Sequence, residues 1–197
     1  MAGELTAGSP KAFLRREVLA ARDAQSAATR ASAGASITRE LLALDAWQQA
    51  SCVLLYLSFG SEFDTATLVA EATAHGKQLC LPRVDKAAHA LIIHRVADLV
   101  NDVQAGVWGI REPRPECAVT DLAAIDFALV PGVAFTPRCE RLGYGGGYYD
   151  GLIARFAQRP PLVAAAFDLQ MRAQIPLGEH DRALDLVVTE TAAHCGC

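Results

Sequence analysis

Hydrophobic positions change their period several times along the chain, and each change marks an element. Phe13, Leu14, Val18 and Ala21 recur at roughly helical spacing behind Ser9-Pro10, an N-cap followed by a first-turn proline, so the pattern predicts a helix over 10–24. A second helix is expected over 27–44, with Ile37, Leu41, Leu42 and Leu44 in its later half and Gly34 interrupting its first. The run CVLLYLS (Cys52 to Ser58) is continuously apolar and of strand length, as in a sheet buried on both faces. Thr65 can cap a helix over about 66–75 that Gly76 ends. QLCLPRV (78–84) and ALIIHRV (90–96) are further strands. Residues 97–119 mix proline, glycine and polar residues and predict a long surface segment with at most one short helix. A strand in DFALVPG, a helix over 149–158 and strands in LVAAAF (162–167) and DLVVTE (185–190) complete the pattern.

Strands alternating with helices predict an α/β fold of three layers, Rossmann-like, with a mostly parallel central sheet and helices on both faces. Residues 1–8 read as a loose tail and 9–197 as one domain. In such folds ligands sit beyond the carboxyl ends of the strands. The segments 59–65 and 132–150 both follow strands, which makes them candidate site loops.

Composition narrows the function classes. The chain has 197 residues, 52% of them hydrophobic and 20% charged, enough to bury a core without disulfides or a structural metal. A net charge of −4 gives no electrostatic footprint for nucleic acid or an anionic membrane surface. No apolar run reaches the ~18 residues of a membrane span, and the N-terminus lacks a basic-then-apolar leader. A cytoplasmic protein is expected, with its six cysteines as free thiols rather than bridges.

The candidate chemistry centres on RLGYGGGYYD, which places Gly143, Gly145, Gly146 and Gly147 within five positions. Glycines let a loop reach φ > 0 and turn its N–H groups toward one point, a nest for an anion such as phosphate. The helix that follows adds its N-terminus. Arg141 brings a fixed cation to the loop's entry and Asp150 a carboxylate to its exit; a carboxylate beside phosphates calls for a cation, commonly Mg²⁺. This is neither a Walker loop, for no GK[ST] is present, nor a dinucleotide fingerprint, whose third glycine position is Tyr148 here. Lys11 and Arg15, spaced i, i+4, share one helix face, which is either a solvated basic edge or a pair of cations for phosphate. Arg16 and Arg22 suit solvent or ion pairing better. Glu62 and Asp64 follow the first strand, either to bind polar ligand groups or, with Thr65, to cap the next helix. Trp108 can stack on a planar heterocycle or serve as lid packing. His180 and Asp181 lie in a short connection where a carboxylate could join Asp150 at a metal, or simply make a turn. The terminal His194-Cys195-Gly196-Cys197 lacks a second Cys/His pair at zinc spacing. No nucleophile–base pair stands out.

Taken in order, these segments resemble the 5-formyltetrahydrofolate cyclo-ligase (methenyltetrahydrofolate synthetase) family over about Lys11 to Glu190. KAFLR, SEFDT, GVWGIREP, PGVAF with RLGYGGGYYD, AFDLQ, and EHD with LDLVVTE carry the resemblance. It implies an enzyme that uses ATP and Mg²⁺ to convert 5-formyltetrahydrofolate to 5,10-methenyltetrahydrofolate, releasing ADP and phosphate through a phosphorylated formyl group. It implies that Lys11, Arg15 and the loop residues Arg141, Leu142, Gly143 and Tyr144, continuing through Gly145, Gly146, Gly147, Tyr148 and Tyr149, hold ATP. Lys11, Arg141 and Asp150 would serve catalysis, and Asp150 and Asp181 the Mg²⁺. Phe59, Glu62, Asp64 and Trp108 fall where the family contacts folate. The pattern departs at Thr136 and Cys139, where the family usually has Asp and Gly, and at Gly151, where a basic residue is common. The rival readings are a folate- or nucleotide-binding protein of the same fold without turnover, and a different small-molecule kinase.

Overall fold

A computed structural model of the chain describes residues 8–196, apart from the side chain of Trp108. Residues 1–7 of the expected tail lie outside the described residues. The first two helices form where the capping pattern puts them. Helix α1 (Pro10–Ala24) starts at Ser9, whose hydroxyl accepts the Ala12 N–H at 3.2 Å. Helix α2 (Ala27–Ala43) starts at Ser26, whose hydroxyl accepts the Thr29 N–H at 3.0 Å. Each side-chain cap satisfies one of the orphan donors at a helix start. A short helix α3 (Asp45–Gln49), not foreseen, then leads into β1 (Cys52–Leu54). That strand is shorter than the apolar run 52–58.

Helix α4 (Ala66–Ala74) is capped by Asp64, whose Oδ1 accepts the Ala66 N–H at 2.9 Å. Thr65, the expected cap, instead donates its hydroxyl to the Tyr56 carbonyl at 2.7 Å. Gly76 ends the turn at φ +68°, the left-handed conformation that glycine takes without strain. Strands β2 (Gln78–Asp85) and β3 (Ala90–Arg95) form an antiparallel hairpin. The segment 97–119 is more ordered than its composition suggests. Strands β4 (Val103–Ala105) and β5 (Arg111–Pro113) pair antiparallel around a 3-10 turn at Val107–Gly109.

After β6 (Phe127–Leu129), a small hairpin of β7 (Ala134–Phe135) and β8 (Arg141–Leu142) precedes the glycine loop. Thr136 and Cys139, the two departures from the family pattern, build its turn. The Thr136 hydroxyl donates to Glu140, and Cys139 takes φ +60°, so a left-handed residue stands where the family has glycine. Helix α5 (Tyr148–Ile153) is six residues long rather than reaching 158. Strands β9 (Leu162–Ala165), β10 (Leu186–Val188) and β11 (Ala193–Cys195) finish the chain. The His194-Cys195 end is thus the sheet's edge strand.

The sheet runs β11-β10-β9-β6-β1-β2-β3, with β10, β9, β6, β1 and β2 parallel and an antiparallel strand at each edge. This is the expected mostly parallel α/β sheet. Its side chains alternate faces. Val53, Leu55, Leu79 and Phe127 meet Ile37, Leu41, Trp47 and Leu68 of α2, α3 and α4 on one face. Leu54, Cys80, Ala128 and Ala164 meet Leu152 and Ile153 of α5 on the other. Trp47 packs edge-on to Phe127 at 5.4 Å. Helix α1 joins neither face. Its Val18 packs on Val133, Leu142 and Ile175, in segments that follow β6 and β9. That places α1 across the carboxyl end of the sheet, where the site lies. Among the described residues, no helix is long and apolar enough to cross a membrane.

Candidate functional site

A cleft of about 680 Å³ opens there, lined by α1, the segment after β1, the β2–β3 and β4–β5 hairpins and the glycine loop. The face of α1 that carries Lys11 and Arg15 is turned into it. Lys11 donates to Asp181 Oδ2 at 2.5 Å, and Arg15 Nε to the Gly143 carbonyl at 2.7 Å. The two cations therefore clamp two distant segments onto α1 and are not a solvated edge. Burial lowers the Arg15 pKa, and the Asp181 charge partly opposes this.

The glycine loop leaves a row of donors open. Among the described residues, no carbonyl or side chain accepts the backbone N–H groups of Gly143 through Tyr149. Gly145 (φ +107°) and Gly147 (φ +70°) supply the left-handed turns that keep the loop from closing on itself. Orphan N–H groups beside a helix start are an anion nest. At the loop's entry Arg141 is buried. It donates Nη2 to Asp150 Oδ1 at 2.7 Å and Nη1 to the Pro131 carbonyl at 3.2 Å, and its Nε finds no partner. Leu142 contributes differently from its neighbours: its side chain is buried against Val18, outside the cleft.

Asp150 and Asp181 both line the cleft, each held by protein donors. Asp150 Oδ1 also accepts the Arg182 N–H at 3.1 Å, and Asp181 Oδ2 the Gly178 N–H at 2.6 Å. Burial pushes the Asp181 carboxyl up, but Lys11, the Gly178 N–H and Arg141 pull it below the ordinary carboxylate range. Within the described residues there is no cluster of three or more metal-ligating side chains. Each of the two carboxylates keeps its second oxygen clear of these bonds. That fits Mg²⁺, which takes one or two carboxylates and fills its octahedron with waters and phosphate oxygens rather than a protein cage.

Beside the glycine loop, Phe59 packs against Tyr144 at 5.8 Å and gives its N–H to Glu62 Oε2 at 3.1 Å. Tyr144 reaches out of the glycine loop and donates its hydroxyl to Glu62 Oε1. Burial raises the Glu62 pKa, partly offset by the Tyr144 hydroxyl, the Phe59 N–H and Arg22. Asp64 stands apart. It caps α4 and borders a second groove beside α2 rather than the cleft. The side chain of Trp108 lies outside the described residues; its neighbours Val107 and Ile110 line the cleft.

Two residues of this region were missed from the sequence. Glu112, 6% exposed, accepts the Val84 N–H at 3.2 Å and the Val107 N–H at 2.8 Å. It ties the turn that carries Trp108 to β2. A Cβ on Gly106 would collide with the Glu112 side chain, so a larger residue there has to displace that carboxylate. The other residue is Arg22, which is 4% exposed and bonded to Ser61 and Tyr144 rather than facing solvent. A glutamate in GVWGIREP could have been suspected from the motif; a lone arginine in a charged helix carries no such signal.

Comparison with known proteins bears out the resemblance. The profile of the 5-formyltetrahydrofolate cyclo-ligase family matches residues 7–190. A probable 5-formyltetrahydrofolate cyclo-ligase of Caenorhabditis elegans is 30% identical over 73% of this chain and 75% of its own. The mouse 5-formyltetrahydrofolate cyclo-ligase is 28% identical over 94% and 96%. Among solved structures, the 5,10-methenyltetrahydrofolate synthetase of Aquifex aeolicus superposes with a TM-score of 0.84 at 30% identity, covering 95% of this chain and 93% of its own. A synthetase from Mycoplasma pneumoniae, at 21% identity and a TM-score of 0.75, covers 91% of this chain and 98% of its own and shares the fold.

Proposed function

The chain belongs to the 5-formyltetrahydrofolate cyclo-ligase family, and from that membership we propose that it is an ATP- and Mg²⁺-dependent enzyme closing 5-formyltetrahydrofolate to 5,10-methenyltetrahydrofolate. The observation that carries this reading is the row of open N–H groups from Gly143 to Tyr149, lining one cleft together with Phe59 and Glu62. A triphosphate suits the first set and a polar heterocycle the second.

The chemistry asks for what this chain supplies. A formamide oxygen is a poor leaving group, so it first attacks the γ-phosphorus of ATP; ADP departs and an iminium phosphate forms on the folate. The nitrogen at position ten then attacks the activated carbon and the ring closes; phosphate leaves, and the proton of that nitrogen departs with it or to water. No protein nucleophile is required. Such transfer is positioning and charge neutralisation. Lys11 and Arg15 neutralise phosphate oxygens, Arg141 adds its charge from the cleft wall, and the loop N–H groups hold the phosphates in place. Asp150 and Asp181 would hold Mg²⁺, which would supply further neutralisation of phosphate charge. Phe59 and Glu62 grip the pterin, whose N–H groups a carboxylate accepts. Asp64 acts through the helix it caps. Free thiols at Cys52, Cys80, Cys117 and Cys195 suit a reducing cytoplasm, and a monomer is sufficient because one chain lines the whole cleft.

The test is purified protein with ATP, Mg²⁺ and 5-formyltetrahydrofolate. The near-ultraviolet absorbance of the methenyl product should rise in step with ADP. ADP without that absorbance would identify a different kinase, and neither signal a binding protein.

A further inference from the structure

Arg22 lies seven residues past Arg15, on nearly the same face of α1, and is almost fully buried. It takes part in none of the ion pairs found among the described residues. A buried guanidinium needs its charge compensated, and here the compensation is indirect. Arg22 Nε donates to the Ser61 hydroxyl at 2.9 Å and Nη2 to the Tyr144 hydroxyl at 3.1 Å. Each hydroxyl in turn donates a hydrogen bond to a carboxylate, Ser61 to Asp23 and Tyr144 to Glu62. The direction of these bonds is forced. A guanidinium has no acceptor, so both hydroxyls must accept from it and donate onward, and an ionised carboxylate is the group that only accepts.

We propose that Arg22 is a positioning residue for the reaction, aiming the Tyr144 hydroxyl and, through it, holding the Glu62 carboxylate ionised on the folate wall of the cleft. This rests on the reading of Glu62 given above. A purely structural Arg22 would tie α1 to residues 59–62 and leave the charge state of Glu62 alone. The groups facing Glu62 are Arg22 from α1, Tyr144 from the glycine loop, Tyr149 from α5, Tyr56 from the segment after β1 and the Phe59 N–H of its own loop. The tyrosines are neutral, all three held above their ordinary range by burial first. Arg22 is the only cation of the set, so its loss leaves burial less opposed, and Glu62 should then hold its proton to higher pH.

Arg22→Met and Arg22→Lys separate the two roles. The Glu62 carboxyl is followed by carbon-13 NMR of labelled glutamate, which needs no substrate, and KM is measured for both substrates across pH. In Arg22→Met, Glu62 should titrate about one pH unit or more higher, as expected when an opposite charge is withdrawn. The acid limb of kcat/KM for 5-formyltetrahydrofolate should move the same way, and its KM should rise about tenfold, while the KM for ATP stays within about twofold. Arg22→Lys should recover part of each shift. A folded Arg22→Met with an unmoved Glu62 titration overturns the proposal. If Arg22→Met does not fold, Tyr144→Phe cuts the same relay at an exposed ring, and an unmoved Glu62 there overturns it equally. Absence of wild-type turnover would sink the functional reading, and the NMR titration would still decide what Arg22 does.

Discussion

Asp150 has two partners to satisfy, and this changes what its substitution means. Its carboxylate neutralises Arg141, whose side chain is 2% exposed. Removing one member of a buried pair costs about 3–5 kcal/mol, because the remaining charge is stranded. Asp150→Asn should therefore lower both turnover, by orders of magnitude, and the melting temperature, by several degrees. Turnover at saturating Mg²⁺, measured well below the melting point, separates the two effects; wild-type turnover there would remove Asp150 from the metal. Glu62 behaves in the opposite sense. Its folded pKa is raised, so ionising it opposes folding, and the stability it contributes when protonated is lost as pH rises from the unfolded value through the folded one. Glu62→Gln keeps the shape and removes the charge, and its single oxygen can accept from only one of the Phe59 N–H and the Tyr144 hydroxyl. Its KM for 5-formyltetrahydrofolate should rise, and wild type should lose melting temperature relative to it as pH rises through the range where Glu62 ionises; a gap that changes the other way would refute the sign. Lys11 and Arg15 were legible in the sequence because i, i+4 spacing fixes a shared face. Arg22 and Glu112 were not, because their partners lie far away in sequence and a buried charge is written in the same letters as an exposed one.

At the scale of elements, the glycine loop works through backbone conformation. Gly147 sits at φ +70° with open space around the position of a Cβ, so Gly147→Ala tests conformation without a clash. Left-handed backbone costs an L-residue roughly 1–2 kcal/mol. A loop that relaxes to avoid this loses its converging N–H groups. The KM for ATP should rise about tenfold, the equivalent of ~1.4 kcal/mol, with the KM for folate changed much less; equal changes in both would mean that the loop is only a hinge. Helices α1, α2 and α4 were readable from apolar spacing and capping residues, and the inner strands from continuous apolar runs that mark a sheet buried on both faces. Helix α3 and strands β4, β5, β7 and β8 span five residues or fewer and carry neither signal. They form because neighbouring segments pin them, as Glu112 pins the β4–β5 turn. The family motif marks RLGYGGGYYD, but its tie to Phe59 and Glu62 through Tyr144 spans 82 residues and leaves no local pattern in the sequence.

For the whole molecule, the site joins parts of the chain that lie far apart in sequence. Lys11 meets Asp181 across 170 residues, Arg15 meets Gly143 across 128 and Tyr144 meets Glu62 across 82. A ligand gripped by all these walls binds only the folded chain, so it must stabilise the fold by mass action. At a free concentration one hundred times Kd this amounts to about 2.7 kcal/mol. For a domain of this size, where each kcal/mol moves the melting point by ~2–4 °C, ATP with Mg²⁺ should raise it by roughly 5–10 °C. The control is chelation. If Asp150 and Asp181 hold Mg²⁺ against the phosphates, EDTA should remove most of the ATP-dependent shift and leave the ligand-free melting point unchanged, since both carboxylates already have protein partners. A ligand-free protein that melts lower in EDTA would point instead to a metal built into the fold. An ATP shift that survives EDTA in full would mean that Lys11, Arg15 and the loop N–H groups carry the triphosphate without a cation. The same scan with 5-formyltetrahydrofolate alone, insensitive to EDTA, would confirm that the two walls of the cleft bind their ligands by separate means.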